Sequence, residues 1–407
     1  MSQTGTRLSA IINARAGNDR DLLPPPLTML GLGFWRPEAC PWGIRPDMRG
    51  PNEIDFWRGF ALVTIFIDHV PGLFYENYTM RHFGISDAAE LFVFLAGWSM
   101  RLLMSNRKEP MTIPSVVMRL ETRALTIFFT QLIITQMALA LTAAGAIWLE
   151  NPLFLEWNNA SAAFEAPIET QVGIVILSHQ MGFFDILPLY VVLIAGAPLC
   201  VISDRIWKWL PLILSVTLYA TILTTGVNLP TWPVEGRWYF NPFAWQLVFV
   251  IGYMLADANG PMAALRRHTT PLRWLGLAGV LAGVAIGLAD YAPDPLAVPE
   301  PKLFFMFDKT FATPSRILHL LALVALFNGA FYYVERWMRP LSRFFSMLGR
   351  NSLYVFCIGS LFALASQFAR FVLGGSIAVD TAVLLMGIIT MGVTAWVVEW
   401  RVRSRAS

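Results

Sequence analysis

Ten segments of this chain are almost continuously apolar, and its polar residues gather between them. The segments run over residues 54–76, 88–105, 121–149, 172–202, 209–226, 241–258, 273–290, 314–334, 349–372 and 378–400. A helix that crosses a bilayer needs roughly 17–25 mostly apolar residues, so each segment predicts a membrane span. The third and fourth exceed that need, which implies tilt or projection beyond the membrane. The fourth contains Ser178-His179-Gln180 and Pro188, which predict a break near its middle. The apolar runs do not alternate with period two, which argues against an outer-membrane barrel. The fold class that follows is all-α: a polytopic integral membrane bundle of about ten transmembrane helices.

Basic residues orient such a bundle, because loops rich in Lys and Arg stay in the cytoplasm. With the N-terminus inside, 23 of the 30 Lys and Arg lie on the cytoplasmic side and 6 on the outer side, with Arg58 within the first span. That split predicts an even number of spans and both termini in the cytoplasm. Residues 1–50 read as a cytoplasmic tail ending in a Pro-rich stretch; they hold Arg7, Arg15 and Arg20 but no apolar signal-peptide core before Pro24-Pro25-Pro26. Residues 51–400 form the transmembrane domain and 401–407 a second cytoplasmic tail.

Composition agrees with this picture. Of 407 residues, 56% are hydrophobic and 14% charged, against about 25% charged in an average soluble domain. A net charge of +3 is too small to suggest nucleic-acid binding. Cys40, Cys200 and Cys357 show no pairing or zinc spacing. No HxxxH or HExxH spacing occurs, so no metal site is expected, and no GxGxxG or P-loop supports an ATP- or NAD-driven mechanism.

Ionisable groups inside a bilayer are costly and mark function by default. Asp55 and Arg58 lie three residues apart on one face of the first span, where they also suit a simple ion pair. Arg58 and His69 are eleven residues apart, about 16 Å of helix rise and close to three turns, so they point to nearly the same side. That spacing predicts one cavity lined by both. Asp68 faces about 100° away from His69, so Asp87, Glu90 or Asp185 would orient the imidazole better. His179 and His319 suit either pore lining or helix–helix hydrogen bonds. His82 reads as an exposed loop residue and His268 as part of the positive cytoplasmic face. Arg119 and Arg123 share a face where the third span begins. Arg350, Asn351 and Ser352 open the ninth span, with Asn351 or Ser352 suited to its N-cap. Ordinary positive-inside anchoring accounts for these groups; a phosphate-binding site at a helix N-terminus is the sharper alternative. Trp232, Trp238, Tyr239, Phe240, Phe243 and Trp245 crowd an outer turn. They suit an interfacial belt, or a platform for sugar rings with Asn241 and Gln246 bonding hydroxyls.

Several segments together resemble the OpgC family, inner-membrane proteins that succinylate osmoregulated periplasmic glucans. They are Asp55-Phe56-Trp57-Arg58-Gly59, Phe66 to Gly72, Phe83 to Phe94, Asp185 to Tyr190, and Trp238 to Gln246. The likeness extends from about residue 50 to 400. OpgC proteins are in turn similar to the acyltransferase-3 membrane family, whose Arg-x10-His pattern is matched by Arg58 and His69 and whose Leu-Gly-Arg-Asn-Ser-Leu-like segment is matched by Leu348 to Leu353. That family often has an RxxR near its third span; Arg119 and Arg123 stand with one more residue between them.

The resemblance implies a bacterial inner-membrane O-acyltransferase with no permanently bound cofactor. Its donor would be succinyl-CoA from the cytoplasm and its acceptor a periplasmic glucan. His69 would deprotonate a sugar hydroxyl or carry the acyl group, oriented by Asp68, Asp87 or Glu90. Arg58 would hold the donor's carboxylate or stabilise negative charge. Arg119, Arg123, Arg350, Asn351 and Ser352 would hold the acyl-CoA phosphates. Asp55, Asp185, Tyr190, Trp238, Asn241, Trp245 and Gln246 would face the substrate. Competing readings are acyl transfer to another envelope glycan, and a proton-coupled transporter using Arg58, Asp68 and His69 as a relay. A structural anchor would leave the charges of the first span unexplained. A lateral homodimer is compatible with the architecture, and nothing in the sequence argues for it.

Overall fold

The computed structural model describes residues 50–105 and 111–406. Cys40, Arg107, Lys108, Ser407 and all but the last residue of the N-terminal tail lie outside them. The described chain is almost entirely helical. The main helices are α1 (Glu53–Asp68), α2 (Ala88–Ser105), α3 (Ile113–Trp148), α4 (Pro167–Val175), α5 (Ile186–Ile206), α6 (Leu210–Thr225) and α7 (Pro242–Ala256). They continue as α8 (Thr269–Leu288), α9 (Pro314–Phe327), α10 (Ala330–Trp337), α11 (Arg339–Arg350), α12 (Ser352–Leu373) and α13 (Ile377–Ala406). The only sheet among the described residues is a small antiparallel pair, Pro230–Thr231 with Gly236–Arg237, in the α6–α7 connection.

Every predicted segment contains a helix, but five helices (α3, α5, α8, α12 and α13) are individually long and apolar enough to cross a membrane. A sixth span forms if α9 and α10 are one element bent by 49°. The first segment departs most from expectation. Its helix ends at Asp68 rather than near residue 76, because Pro71 cannot continue it and Gly72 takes φ +75. The start of α1 is explained by Asn52, whose side chain accepts from the Asp55 N–H at 2.9 Å, and by Glu53 and Asp55 in its first turn. The fourth segment breaks where expected. Ser178 and His179 donate their N–H groups back to the Gly173 carbonyl at 2.8 and 3.0 Å, closing α4 before α5 begins.

The core is built on close helix pairs: α1 with α11, α2 with α7, α3 with α5, α8 with α9, and α12 with α13. Two of these pairs meet backbone to backbone through reciprocal glycines. A Cβ on Gly97 of α2 would collide with the Phe249 carbonyl of α7, and one on Gly252 of α7 with the Phe94 carbonyl of α2. Gly59 and Gly349 stand in the same relation between α1 and α11. Small residues permit this approach in membrane bundles. In contrast, α3 and α13 turn large apolar side chains outward, including Met118, Leu125, Phe129 and Ile133, and Leu385, Met386 and Ile389. Such broad exposed apolar faces are expected where lipid is the solvent.

Candidate active site

Of the buried polar clusters within the bundle, two bear on the candidate site. The first gathers where α1 ends and α2 and α9 begin. Asp87 starts α2 as its cap: its Oδ1 accepts from the Ala89 N–H at 2.8 Å, and Glu90 Oε2 accepts from the Asp87 N–H at 2.9 Å. Asp87 Oδ2 also accepts from Lys309 Nζ at 2.5 Å and from Arg316 Nη2 at 3.3 Å. Glu90 is fully buried and accepts from Arg316 Nε at 2.6 Å. The result is a buried network of two carboxylates and two cations. Beside it, Ser86 donates its N–H to His319 Nδ1 at 3.2 Å, and its hydroxyl lies 2.7 Å from the same nitrogen.

Burial would raise the Asp87 carboxyl, but the Lys309 ammonium and Arg316 guanidinium hold it well below the usual carboxylate range. Burial would lower the Lys309 ammonium, but Asp87 and Glu90 hold it above the ordinary lysine value. A depressed carboxyl contributes stability that is complete above about pH 4 and is lost only as pH falls through its lower folded value. A raised ammonium contributes stability that is complete below about pH 10 and lost above it. The contribution of Asp87 and Lys309 to the unfolding midpoint is therefore expected to be flat between about pH 5 and 9. Asp87→Asn leaves two buried cations with one carboxylate and is expected to cost about 3–5 kcal/mol. Thermal unfolding in detergent reads this, and an unchanged midpoint would contradict the role given to the pair.

Asp68 and His69 complete the group at the end of α1. Both lie within electrostatic reach of Asp87 and Lys309, and Asp185 within reach of Lys309. Asp68 Oδ1 and His69 Nδ1 are buried with no hydrogen-bond partner. None of the carboxylates expected to orient the imidazole bonds to it among the described residues. Instead the His69 ring packs on Phe183, with centroids 4.8 Å apart. The His69 carbonyl accepts from Gln367 Nε2 at 2.7 Å.

The second group lines a cavity between α1, α2, α3, α5 and α12. Its polar lining is Arg58, Ser99, Arg123, Tyr190 and Ser352, and no carboxylate among the described residues lines it. The walls are otherwise apolar, from Phe92 at the upper end of α2 to Leu103 at its lower end. Arg58 is buried; its guanidinium donates to Ser99 Oγ and lies 3.6 Å from Asp55. The Tyr190 hydroxyl is buried without a hydrogen-bond partner, and its ring packs on Phe92. Arg58 and Arg123, distant in sequence, therefore meet in one cavity, while His69 is not among its lining residues. The expectation of a single cavity lined by Arg58 and His69 is corrected: α1 stops at Asp68, and His69 turns toward Phe183.

The other expected site residues have these positions. Arg350 donates twice to Glu399, at 3.0 and 2.9 Å. Asn351 occupies the cap position of α12 but makes no capping bond; its Nδ2 donates back to the Met347 carbonyl at 2.9 Å. Arg119 is half-buried on α3, outside the cavity lining. Asp55 is buried between Asn52 and Arg58. Asp185 precedes α5 without capping it. Trp245 donates its indole N–H to the Lys309 and Thr310 carbonyls at 3.0 and 3.2 Å. The Asn241 side chain donates to the Val227 carbonyl at 2.7 Å. Gln246 donates to the Ser215 carbonyl at 3.0 Å, and Trp238 is buried. In this α6–α7 turn these groups build the scaffold behind Lys309, and Trp232 and Tyr239 are the half-exposed aromatics. His82 and His268 are exposed, as expected.

Lys309 and Arg316 were not expected at the site. The available signal was their expected position: they are among the few basic residues that the sequence pattern assigns to the outer side, against the general charge trend.

Outward apolar faces around a buried, ion-paired interior define a multi-pass membrane protein. Two of its clusters of charged groups lie at the end of α1 and in a cation-lined cavity. The chain belongs to the OpgC protein family, whose model matches residues 51–403. Membership makes it a glucan-modifying acyltransferase. No curated relative and no solved structure matches the chain.

Proposed function

We propose that the protein is a bacterial inner-membrane O-succinyltransferase that moves a succinyl group from cytoplasmic succinyl-CoA to hydroxyls of periplasmic glucans. The domain over 51–400 spans the membrane ten times and both tails are cytoplasmic; the distribution of basic residues supports this orientation. The observation that carries the reading is the cavity, in which two guanidiniums and an unpartnered phenol stand among apolar walls with no lining acid among the described residues. Such a site suits an anion on an apolar arm.

The donor enters this cavity with its anionic end at Arg58, Arg123 and Tyr190. From Arg58 to His69 the chain rises about 16 Å, comparable to an extended phosphopantetheine arm, so the thioester reaches the end of α1. There the His69 imidazole takes the proton of a sugar hydroxyl. The sugar oxygen bonds to the thioester carbonyl carbon, the carbon–sulfur bond breaks, and the proton returns from His69 to the departing CoA sulfur. The Asp87–Lys309–Arg316–Glu90 network frames this site, and the half-exposed Tyr239 ring lies 5.8 Å from the Lys309 ammonium.

Purified protein with succinyl-CoA and glucan is expected to release CoA and add succinyl mass to the glucan. Substrate flux through liposomes with no covalent product would instead support a transporter and overturn the proposal. Tyr190→Phe removes one hydrogen bond to a charged group, worth about 1.5–3 kcal/mol. It is expected to raise the donor KM roughly tenfold or more with little change in kcat. Steady-state kinetics with an unchanged donor KM would remove Tyr190 from the donor site.

A further inference from the structure

A histidine base is usually held by a hydrogen bond at its second ring nitrogen. His69 has no such bond: Nδ1 is buried and unpartnered. Asp87 and Glu90 are committed to Lys309 and Arg316. The contact that does reach the imidazole is the Phe183 ring, 4.8 Å away and tilted by 44°.

Phe183 lies in the break between α4 and α5 with φ +67. A bulky aromatic residue seldom adopts that conformation, because its Cβ crowds the backbone. Such strain persists only where the surroundings impose it. Here they do. The Gly182 N–H donates to the Asn158 carbonyl at 3.0 Å, and the Phe184 N–H to the Met181 carbonyl at 3.1 Å. Met181 and Phe184 are both fully buried. Asn158 also donates from Nδ2 to Gln367 Oε1 at 3.3 Å, and Gln367 donates to the His69 carbonyl. One chain of contacts therefore holds the backbone of His69 through Gln367 and ties the same assembly to the loop that presses Phe183 on its ring.

We infer that Phe183 is a positioning residue that holds the His69 imidazole in place of an orienting carboxylate. This rests on the reading of His69 as the base. The test uses full-length protein with succinyl-CoA and glucan, with wild type and His69→Gln measured beside the Phe183 variants. Phe183→Leu is expected to lower kcat about 10- to 100-fold, the scale of a displaced catalytic group. The donor KM and the pH midpoint of kcat should stay unchanged, since the base itself is intact. Phe183→Tyr keeps the ring and is expected to retain most of kcat. Phe183→Gly relieves the left-handed backbone, so its melting temperature should not fall while its kcat falls as in Phe183→Leu.

A wild-type kcat in Phe183→Leu would overturn the inference, as would an equal loss in Phe183→Tyr. A melting temperature that falls in step with kcat in Phe183→Gly would assign the ring to stability alone and overturn it likewise. Wild-type CoA release no greater than that of His69→Gln would instead overturn acyl transfer at His69.

Discussion

His69→Gln is expected to lower kcat by about 10²–10⁴-fold, the usual contribution of a positioned general base, while the donor KM changes little. The split follows from the geometry. The proposed donor anchors, Arg58, Arg123 and Tyr190, line the cavity, and His69 is outside that lining. A residue that acts only at the reacting atoms lowers kcat and kcat/KM together. Glutamine keeps a polar side chain of similar size, so the Phe183 contact and the Gln367 hydrogen bond to the His69 carbonyl have no reason to fail. The unfolding midpoint of His69→Gln should match wild type, which separates lost chemistry from lost structure. An equal rise in donor KM without loss of kcat would move His69 into the binding site and out of the reaction.

The second large effect is on folding. Gly252→Val is expected to yield no monodisperse protein. A valine there would drive its side chain into the Phe94 carbonyl of α2, and backbone cannot rotate aside as a side chain can. Overpacking a core commonly costs about 1–3 kcal/mol. A collision with a packed helix backbone should exceed that range, because relief requires α2 and α7 to separate. That separation also disturbs the site, since Asp87 and Glu90 stand at the start of α2 and Leu95 and Ser99, farther along it, accept from Arg58. Gly196→Val is the control: its Cβ would meet nothing within 4 Å. Size-exclusion profiles in detergent read both variants. A monodisperse Gly252→Val protein would contradict the packing account.

Much of the helix pattern was legible because its causes are local. Residues 88–105 were read with the observed bounds, since Asp87 and Glu90 announce the start of the apolar run. The break at Ser178–Gln180 was marked by polar residues in an apolar segment. The early end of α1 could also be read locally, from Pro71-Gly72, yet the apolar Val70 and Leu73 extended the predicted segment past it. The pairing of Asp87 with Lys309 was not legible, because the two are joined only by folding across more than two hundred residues. The same holds for Arg350 with Glu399, which turns an apparent phosphate ligand into one half of an ion pair. One sequence signal did point to such pairs. Lys309, Arg316 and Arg370 are basic residues expected on the outer side, against the charge trend, and each is paired with an acid in the structure. The convergence of Arg58, Arg123 and Tyr190 depended on three different helices and had no local signature. Phe183 carried none either: its role rests on a backbone conformation that its residue type disfavours.

The most direct test of acyl transfer through His69 is mass spectrometry of periplasmic glucans from cells lacking this protein, complemented with wild type or with His69→Gln. The account predicts that succinyl mass disappears from the glucans on deletion, returns with wild type and does not return with His69→Gln. Glucans unchanged by the deletion, or restored by His69→Gln, would contradict it.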